Sequence, residues 1–413
     1  MTKTLDVYLY NFHVGELIQT DNGVMQFKYI AEWLSNPHAQ PLSHSLPLRE
    51  QIFNGEECKG FFAGILPEEN KRRIIARNLG ISAYNDFSML ERIGEECAGA
   101  VMFLPHGTLP KNHAHDYLAL SDQELAKLLR ILPSRPLLAG GENDVRLSLA
   151  GAQDKMAVTL LDNQIHLPLQ GAPSTHIIKP AIEPFKDIVY NEALCLQLAN
   201  AVGIPAATVE IRKAEDILFL LVKRYDREIN QQGQLQRVHQ EDFCQALNFP
   251  PEMKYQNEGG PSLKHCFSLL RSLSTFPLLD IKTLLDAVIF NYLIGNCDAH
   301  SKNFSLLYLP AEIGSQVRLA PLYDLICTLA YPDLSKKMAM RIGKQYAINM
   351  IFKRDWERFA EEAGFSMPSL KERILILAGE VSSKLSEIAK NYPCTEVVEH
   401  IQQQCVEASQ RLE

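Results

Sequence analysis

Asp298, Asn303 and Asp324 are the residues of this chain whose types and spacing best suit the transfer of a phosphoryl group. They are a carboxylate, an amide five positions later, and a second carboxylate beyond two apolar stretches. In phosphotransferases of the protein-kinase type, one carboxylate accepts the proton of the attacking hydroxyl, while an amide and another carboxylate hold Mg²⁺ against the nucleotide phosphates. Mg²⁺ takes oxygen ligands, which Asn303 and Asp324 offer, with phosphate oxygens and water to complete the shell. Taken alone, Asp298 and Asn303 also read as turn residues that satisfy backbone groups. The second acid, in the right order, favours phosphotransfer.

A nucleotide also needs a phosphate cradle and a cation. The segment from Arg146 to Lys155 is rich in small residues and leads into an apolar strand. Ser148, Ala150, Gly151, Ala152, Gln153 and Lys155 are its candidates for approaching phosphates through backbone N–H groups. A plain hairpin turn is the alternative reading of the same segment. Lys179 ends a short β-branched run, where it can neutralise phosphates, and Glu192 opens the following helix and can pair with it. Solvent exposure of both is the other reading. The apolar run 217–222 passes into a charged turn resembling an interlobe hinge, with Val222, Lys223 and Tyr225 as candidates to read the adenine edge and Asp226 the ribose. His300 and Lys302, just after Asp298, and Tyr323, beside Asp324, are further nucleotide candidates.

These side chains need rigid elements to hold them. A strongly periodic apolar helix over 280–295 ends near Gly295 and delivers Asp298 into a loop, a common placement for catalytic groups. Strands over 304–309 and 317–322 form a hairpin that carries the chain from Asn303 back to Asp324. Upstream, residues 1–110 read as a small α+β unit: strands near the start, a turn around Gly15 and another at Asp21-Asn22-Gly23, helices over 68–78 and 87–97, and a closing strand over 100–104. A capping box at Ser121 and Glu124 opens a helix that stops at Pro133. From about 145 to 228 strands then dominate, interrupted by a helix over 190–202. After about 240 the chain turns largely helical, with helices over 354–363, 369–390 and 396–413. A strand-rich lobe followed by a helix-rich one is the plan of a bilobal kinase.

Composition narrows the class. The chain has 413 residues, enough for two or three domains, with 46% apolar and 22% charged residues, as in a globular protein. A net charge of −8 argues against direct non-specific binding to nucleic acid. Nine scattered cysteines without metal-ligand spacing read as buried, reduced thiols. The first residues alternate like a strand and lack a signal peptide's apolar block, and the apolar runs are too short to span a bilayer. The expected location is cytoplasmic.

The motifs, taken in order, resemble the HipA family, serine/threonine kinases that act as toxins of bacterial toxin–antitoxin pairs. The resemblance rests on Ser148-Leu-Ala-Gly-Ala-Gln-Asp-Lys155, Thr175-His-Ile-Ile-Lys179, Asn191-Glu192, Arg224-Tyr-Asp226-Arg, Gln240-Glu-Asp242, Gly259-Gly-Pro261, Asp298-Ala-His-Ser-Lys-Asn303-Phe and Pro321-Leu-Tyr-Asp324. Gly94-Glu-Glu-Cys-Ala-Gly-Ala100-Val resembles the end of the family's N-terminal subdomain.

The resemblance implies an α+β, bilobal protein-kinase-like fold: an N-terminal subdomain over 1–110, an N-lobe over 111–228 and an all-helical C-lobe over 229–413. It implies Asp298 as catalytic base, Asn303 and Asp324 as Mg²⁺ ligands, Lys179 as the phosphate-binding lysine, and ATP as the donor. The 148–153 loop becomes the nucleotide-covering loop and Ser148 the autophosphorylation site, whose modification ejects the loop and silences the kinase. Such a phosphate, carrying about −1.5 to −2 charges, cannot remain beside those of the nucleotide. The implied partners are a dimeric, HipB-like helix-turn-helix antitoxin that supplies most operator DNA contacts, and a protein substrate such as an aminoacyl-tRNA synthetase. A mainly regulatory corepressor and a small-molecule phosphotransferase are the competing readings.

Overall fold

The N-terminal strands form a meander because each apolar alternation is broken by a turn the backbone accepts. Strand Lys3–Leu9 pairs with Phe12–Gln19 across Tyr10 and Asn11, both in the left-handed region, as a two-residue hairpin requires. The turn therefore lies before Gly15, not around it. Gly15 sits within the second strand, where a Cβ would come 2.5 Å from the Lys28 carbonyl oxygen. Strands Met25–Tyr29, Phe53–Asn54 and Val101–Pro105 complete this five-stranded sheet.

The structure, a computed structural model, describes residues 2–111, 116–140, 146–151, 153–181, 183–230, 234–310 and 315–413. The chain forms two compact units. One comprises residues 1–180, 212–252 and 306–317, the other residues 181–211, 253–305 and 318–413.

In the first unit a six-stranded sheet runs in the order Val209–Ala214, Ile217–Lys223, His176–Pro180, Met156–Leu161, Gln164–Pro168, Tyr117–Ala119. The expected helices appear as Glu69–Leu79, Asp86–Ile93 and Asp122–Ile131, the last opened by the Ser121 and Glu124 capping box. One apolar core extends from Leu5 and Phe27 through Phe103 and Leu129 to Val158 and Leu221. The expected cuts near 110 and 228 both fall inside this unit: the apolar core spans the first, and strand Arg227–Ile229 pairs with Leu235–Arg237 across the second.

A buried ion network ties the same segments together. Glu96, 1% exposed, takes Arg227 at 2.8 Å, Arg224 at 3.2 Å and Arg237 at 2.7 Å. Arg224 also forks onto Asp226, at 2.9 and 2.8 Å. Backbone carbonyls of Cys97 and Gly99 receive further guanidinium N–H groups. Burial works against the charge of Glu96, yet Arg227, Arg237 and Arg224 hold its carboxyl at about 2, below an ordinary 4.5. A depressed carboxylate contributes stability that is complete above the unfolded value and lost as pH falls through the folded one. Glu96→Gln takes a carboxylate from the buried Arg224 and Arg227, leaving them Asp226, and from the half-buried Arg237, and is expected to cost about 3–5 kcal/mol at pH 7. Urea denaturation measures this, and the gap between variant and wild type should shrink as pH drops from 4.5 towards 2.

The second unit is mainly helical: Ile188–Ala201, Leu263–Leu273, Pro277–Leu293, Lys353–Ala363, Met367–Ile388 and Thr395–Gln410. Met367–Ile388 packs against Thr395–Gln410, Ile188–Ala201 and Pro277–Leu293. This unit is not all helix, since Lys337–Ile342 and Gln345–Ala347 form an antiparallel ribbon. All nine cysteines are buried and none is in a disulfide. Among the described residues no helix is long and apolar enough to cross a membrane.

Candidate active site

The second unit presents Asp298 on a buried platform. Helix Pro277–Leu293 ends at Gly295, which adopts φ +70° and has no room for a Cβ beside the Leu329 side chain. The Thr328 hydroxyl donates to the Gly295 carbonyl at 2.9 Å and accepts the Cys297 N–H at 2.8 Å. Asn296, 1% exposed, caps the Asp298 N–H at 3.1 Å through its oxygen. Its amide nitrogen reaches Asn291 Oδ1 at 2.8 Å and, at 3.5 Å, the Asp324 carbonyl. Everything from Asn291 to Cys297 is buried, while Asp298 itself is exposed. A carboxylate open to an incoming hydroxyl on a rigid support is what a positioned proton acceptor needs.

Asn303 lies at the end of a short turn, Ser301–Asn303. Its amide nitrogen donates to the Asp298 carbonyl at 3.1 Å. That bond orients the side chain and leaves its oxygen as the group that can ligate a hard cation. The chain then enters strand Ser305–Pro310, which neighbours Ser315–Leu319 and His239–Asp242 in a three-stranded sheet, and the expected hairpin is present. Residues 311–314 lie outside the described residues. Beyond it Asp324 stands at φ +52°, an uncommon conformation for a non-glycine residue that Asp tolerates better than most.

Other second-unit candidates are drawn into the same region with different roles. The Tyr323 hydroxyl donates to the Lys302 carbonyl at 2.6 Å and meets the Ser305 hydroxyl at 2.6 Å. It thus links the neighbours of the two metal-ligand candidates and is not simply presented to a nucleotide. Lys302 and His300 are buried, the latter with its ring edge-on to Tyr255 at 5.4 Å.

Tyr255 is a residue the sequence reading missed. Its hydroxyl donates to Asp298 Oδ1 at 2.8 Å. Its loop is closed by Gly260, whose N–H donates to the Tyr255 carbonyl and whose missing Cβ would lie 2.0 Å from the Met253 carbonyl oxygen. The Gly259-Gly260-Pro261 run was the visible signal for this tight closure.

The first unit holds the remaining candidates. Residues 146–151 do not form the alternative hairpin turn. Leu147 bridges Glu96 and Gly151 bridges Pro67, each in parallel. The Ser148 N–H donates to the Glu96 carbonyl at 2.8 Å, and its hydroxyl donates to the Ile65 carbonyl at 2.9 Å. Ser148 is fully buried, so its hydroxyl is not available as the expected nucleotide contact while the loop is packed this way. Lys155 Nζ closes the loop on the Ala150 carbonyl at 2.6 Å, and Lys71 pairs with Asp154 at 2.6 Å. Ala150, Gly151 and Gln153 are half-buried, and Ala152 lies outside the described residues.

Lys179 is buried on its strand opposite Leu220. Glu192 belongs to helix Ile188–Ala201 of the second unit. Val222 is buried in its strand, Lys223 is exposed, and the Tyr225 hydroxyl donates to Gln240 at 2.7 Å. Asp226 corrects the sequence reading. Expected at the ribose, its carboxylate instead takes Arg224, the Gly99 N–H at 2.7 Å and Gln240 at 3.0 Å, and it is 2% exposed. Burial alone would raise its pKa, but Arg224 and Arg227 hold it well below the usual carboxylate range.

Comparison with known proteins gives a consistent picture. Residues 5–104 match the HipA N-terminal domain and residues 147–390 the HipA-like C-terminal domain. The chain is 44% identical to Y4mE of Sinorhizobium fredii, over 94% of this chain and 92% of that protein. It is 27% identical to the serine/threonine-protein kinase toxin HipA of Shewanella oneidensis, over 95% of this chain and 90% of the relative. A solved complex of Shewanella oneidensis HipA, HipB and operator DNA contains a chain that superposes with a TM-score of 0.85 at 26% identity, covering 99% of this chain and 97% of that one.

Proposed function

We propose, from the premise that this chain belongs to the HipA family, that it is an ATP-dependent serine/threonine protein kinase acting as the toxin of a toxin–antitoxin pair. The observation that carries the reading is the Asp298 carboxylate, exposed on a buried platform and held by Tyr255, beside an Asn303 amide whose oxygen is free to ligate.

Asn303 and Asp324 would hold Mg²⁺, which on binding would offset charge on the ATP phosphates. Asp298 orients the substrate hydroxyl and takes its proton as the oxygen attacks the γ-phosphorus. Tyr255 fixes the direction of the carboxylate through Oδ1. Lys179 supplies positive charge to the phosphates. Lys155 and the Lys71–Asp154 pair hold the 148–153 loop in shape. Likeness to a serine/threonine-protein kinase toxin favours a protein substrate, and an aminoacyl-tRNA synthetase fits a translation-arresting toxin.

Self-inactivation follows from the burial of Ser148. The hydroxyl must leave Ile65 before it can be phosphorylated, and a dianionic phosphate could not return to that buried position without great cost. The Shewanella complex of HipA, HipB and operator DNA supports a HipB-type antitoxin and operator DNA as partners; a helix-turn-helix dimer making most of the DNA contacts is the form the family likeness implies, and the −8 charge of this chain agrees with that division in a cytoplasmic setting.

Incubating the chain with γ-labelled ATP and Mg²⁺, then mapping phosphopeptides, is expected to show label at Ser148. Label on a small metabolite with none on protein would establish the small-molecule phosphotransferase reading instead. Lys71→Ala removes a largely buried pair with Asp154 that restrains the loop, worth about 1–2 kcal/mol. Ser148 labelling in that variant is expected to proceed about 5- to 30-fold faster, read as an initial rate.

A further inference from the structure

The N-terminal sheet gathers a separate set of ligating side chains on the first unit. Asp6 stands directly opposite Glu16 across an antiparallel pair, an arrangement in which two carboxylates repel. Asp6 is also 3% exposed, so its charge has little help from water. Lys28, opposite Glu16 on the next strand, pairs with Glu16 at 2.9 Å. Around Asp6 the structure places imidazoles. His106 Nδ1 lies 2.8 Å from Oδ1 and His13 Nε2 lies 3.6 Å from the same oxygen. The Gly107 N–H donates to Oδ2 at 2.8 Å, which fixes the plane of the carboxylate. The His13 ring stacks on Tyr8 at 5.2 Å, which sets where its nitrogen points, and that nitrogen also lies 3.1 Å from the Gly15 carbonyl. One ligand atom each from Asp6, Glu16 and His106 fall within 4.8 Å of one another.

We propose that Asp6, Glu16, His13 and His106 form a binding site for a divalent transition metal of the zinc class, separate from the phosphotransfer residues. Two imidazole nitrogens and two carboxylate oxygens are donors that zinc accepts in tetrahedral geometry at about 2.0–2.2 Å. They do not suit Mg²⁺, which prefers oxygen ligands and retains water. Occupation requires the 2.8 Å Asp6–His106 contact to open to the roughly 3.3–3.6 Å between donors of a tetrahedral shell, His13 Nε2 to leave the Gly15 carbonyl and join the three gathered ligand atoms, the coordinating nitrogens to be free of their protons, and Glu16 to be released from Lys28. The side chain of His106 is 64% exposed, which leaves the site open to solvent. A bound ion would relieve the opposed carboxylates. It would also fasten the hairpin of strands Lys3–Leu9 and Phe12–Gln19 to the turn after strand Val101–Pro105.

The test uses the full chain carrying Asp324→Asn, so that the phosphotransfer residues contribute least, stripped with chelator and dialysed against zinc sulfate without nucleotide. One zinc per chain is expected, with a rise in thermal midpoint. His13→Ala and His106→Ala should each weaken binding by at least about tenfold, and the two together should reduce it to background. Both side chains are partly exposed, so circular dichroism should show folded variants. Cobalt in place of zinc should give the visible absorption of a tetrahedral site, lost in the double variant. No zinc retained up to about 100 μM, or unchanged binding by the double variant, would overturn the proposal.

Discussion

Asp298→Ala is expected to lower kcat for protein phosphorylation by about three orders of magnitude or more, with little change in the KM for ATP. As the proposed base the carboxylate would touch the reacting hydroxyl, so its interactions would be realised at the transition state and not in nucleotide binding. The fold should survive. Asp298 is exposed, and its removal takes one hydrogen bond from the Tyr255 hydroxyl, a loss of about 1 kcal/mol. Tyr255→Phe separates orientation from proton transfer: the acid remains but loses its 2.8 Å restraint, and about a tenfold loss in kcat is expected. Steady-state kinetics on an accepted protein substrate, with denaturation curves for both variants, checks these outcomes. An Asp298→Ala enzyme within tenfold of wild type would remove the catalytic role from this loop.

The parts of this site that could be read from sequence are those written locally. Asp298 and Asn303 are five positions apart, and the helix that carries them and the hairpin beyond them announce themselves by periodicity. Strand Met156–Leu161 and the Ser121 capping box were equally visible, because each depends on neighbours only a few residues away. Residues whose roles depend on distant chain were not legible. Asp226 looks like a hinge acid until Gly99, 127 positions earlier, donates to it. Tyr255 stands 43 positions before the carboxylate it orients, and the nearby Gly259-Gly260-Pro261 run marks a tight loop without singling out the tyrosine. Ser148 was placed in a small-residue loop, but its burial depends on Ile65 and Glu96. Gly15 shows the converse error: a glycine suggested a turn, while close approach of the neighbouring strand was the actual reason for it.

Asp324→Asn is expected to cost about a thousandfold in kcat, and the comparison with Asp324→Ala shows why the charge is responsible. Asp324 sits at φ +52°, where Asn is tolerated about as well as Asp but Ala is strained by about 1–2 kcal/mol. Asn also keeps the length of the side chain and a neutral oxygen. The Asn variant therefore changes the ligand's charge with little effect on the backbone, and its denaturation midpoint should match wild type, while that of the Ala variant falls. If Asp324 serves only to turn the chain, the Asn variant will be nearly as active as wild type and the Ala variant less so. If it holds Mg²⁺, both lose activity together, and the Asn variant shows a raised metal requirement partly met by Mn²⁺, which stands beside Mg²⁺ in its taste for oxygen donors. Activity of Asp324→Asn above about a tenth of wild type, at ordinary Mg²⁺, would place the metal elsewhere. The hydrogen bond from Tyr323 to the Lys302 carbonyl, at 2.6 Å, fastens the residues next to Asp324 and Asn303 to one another, as a shared metal between them requires.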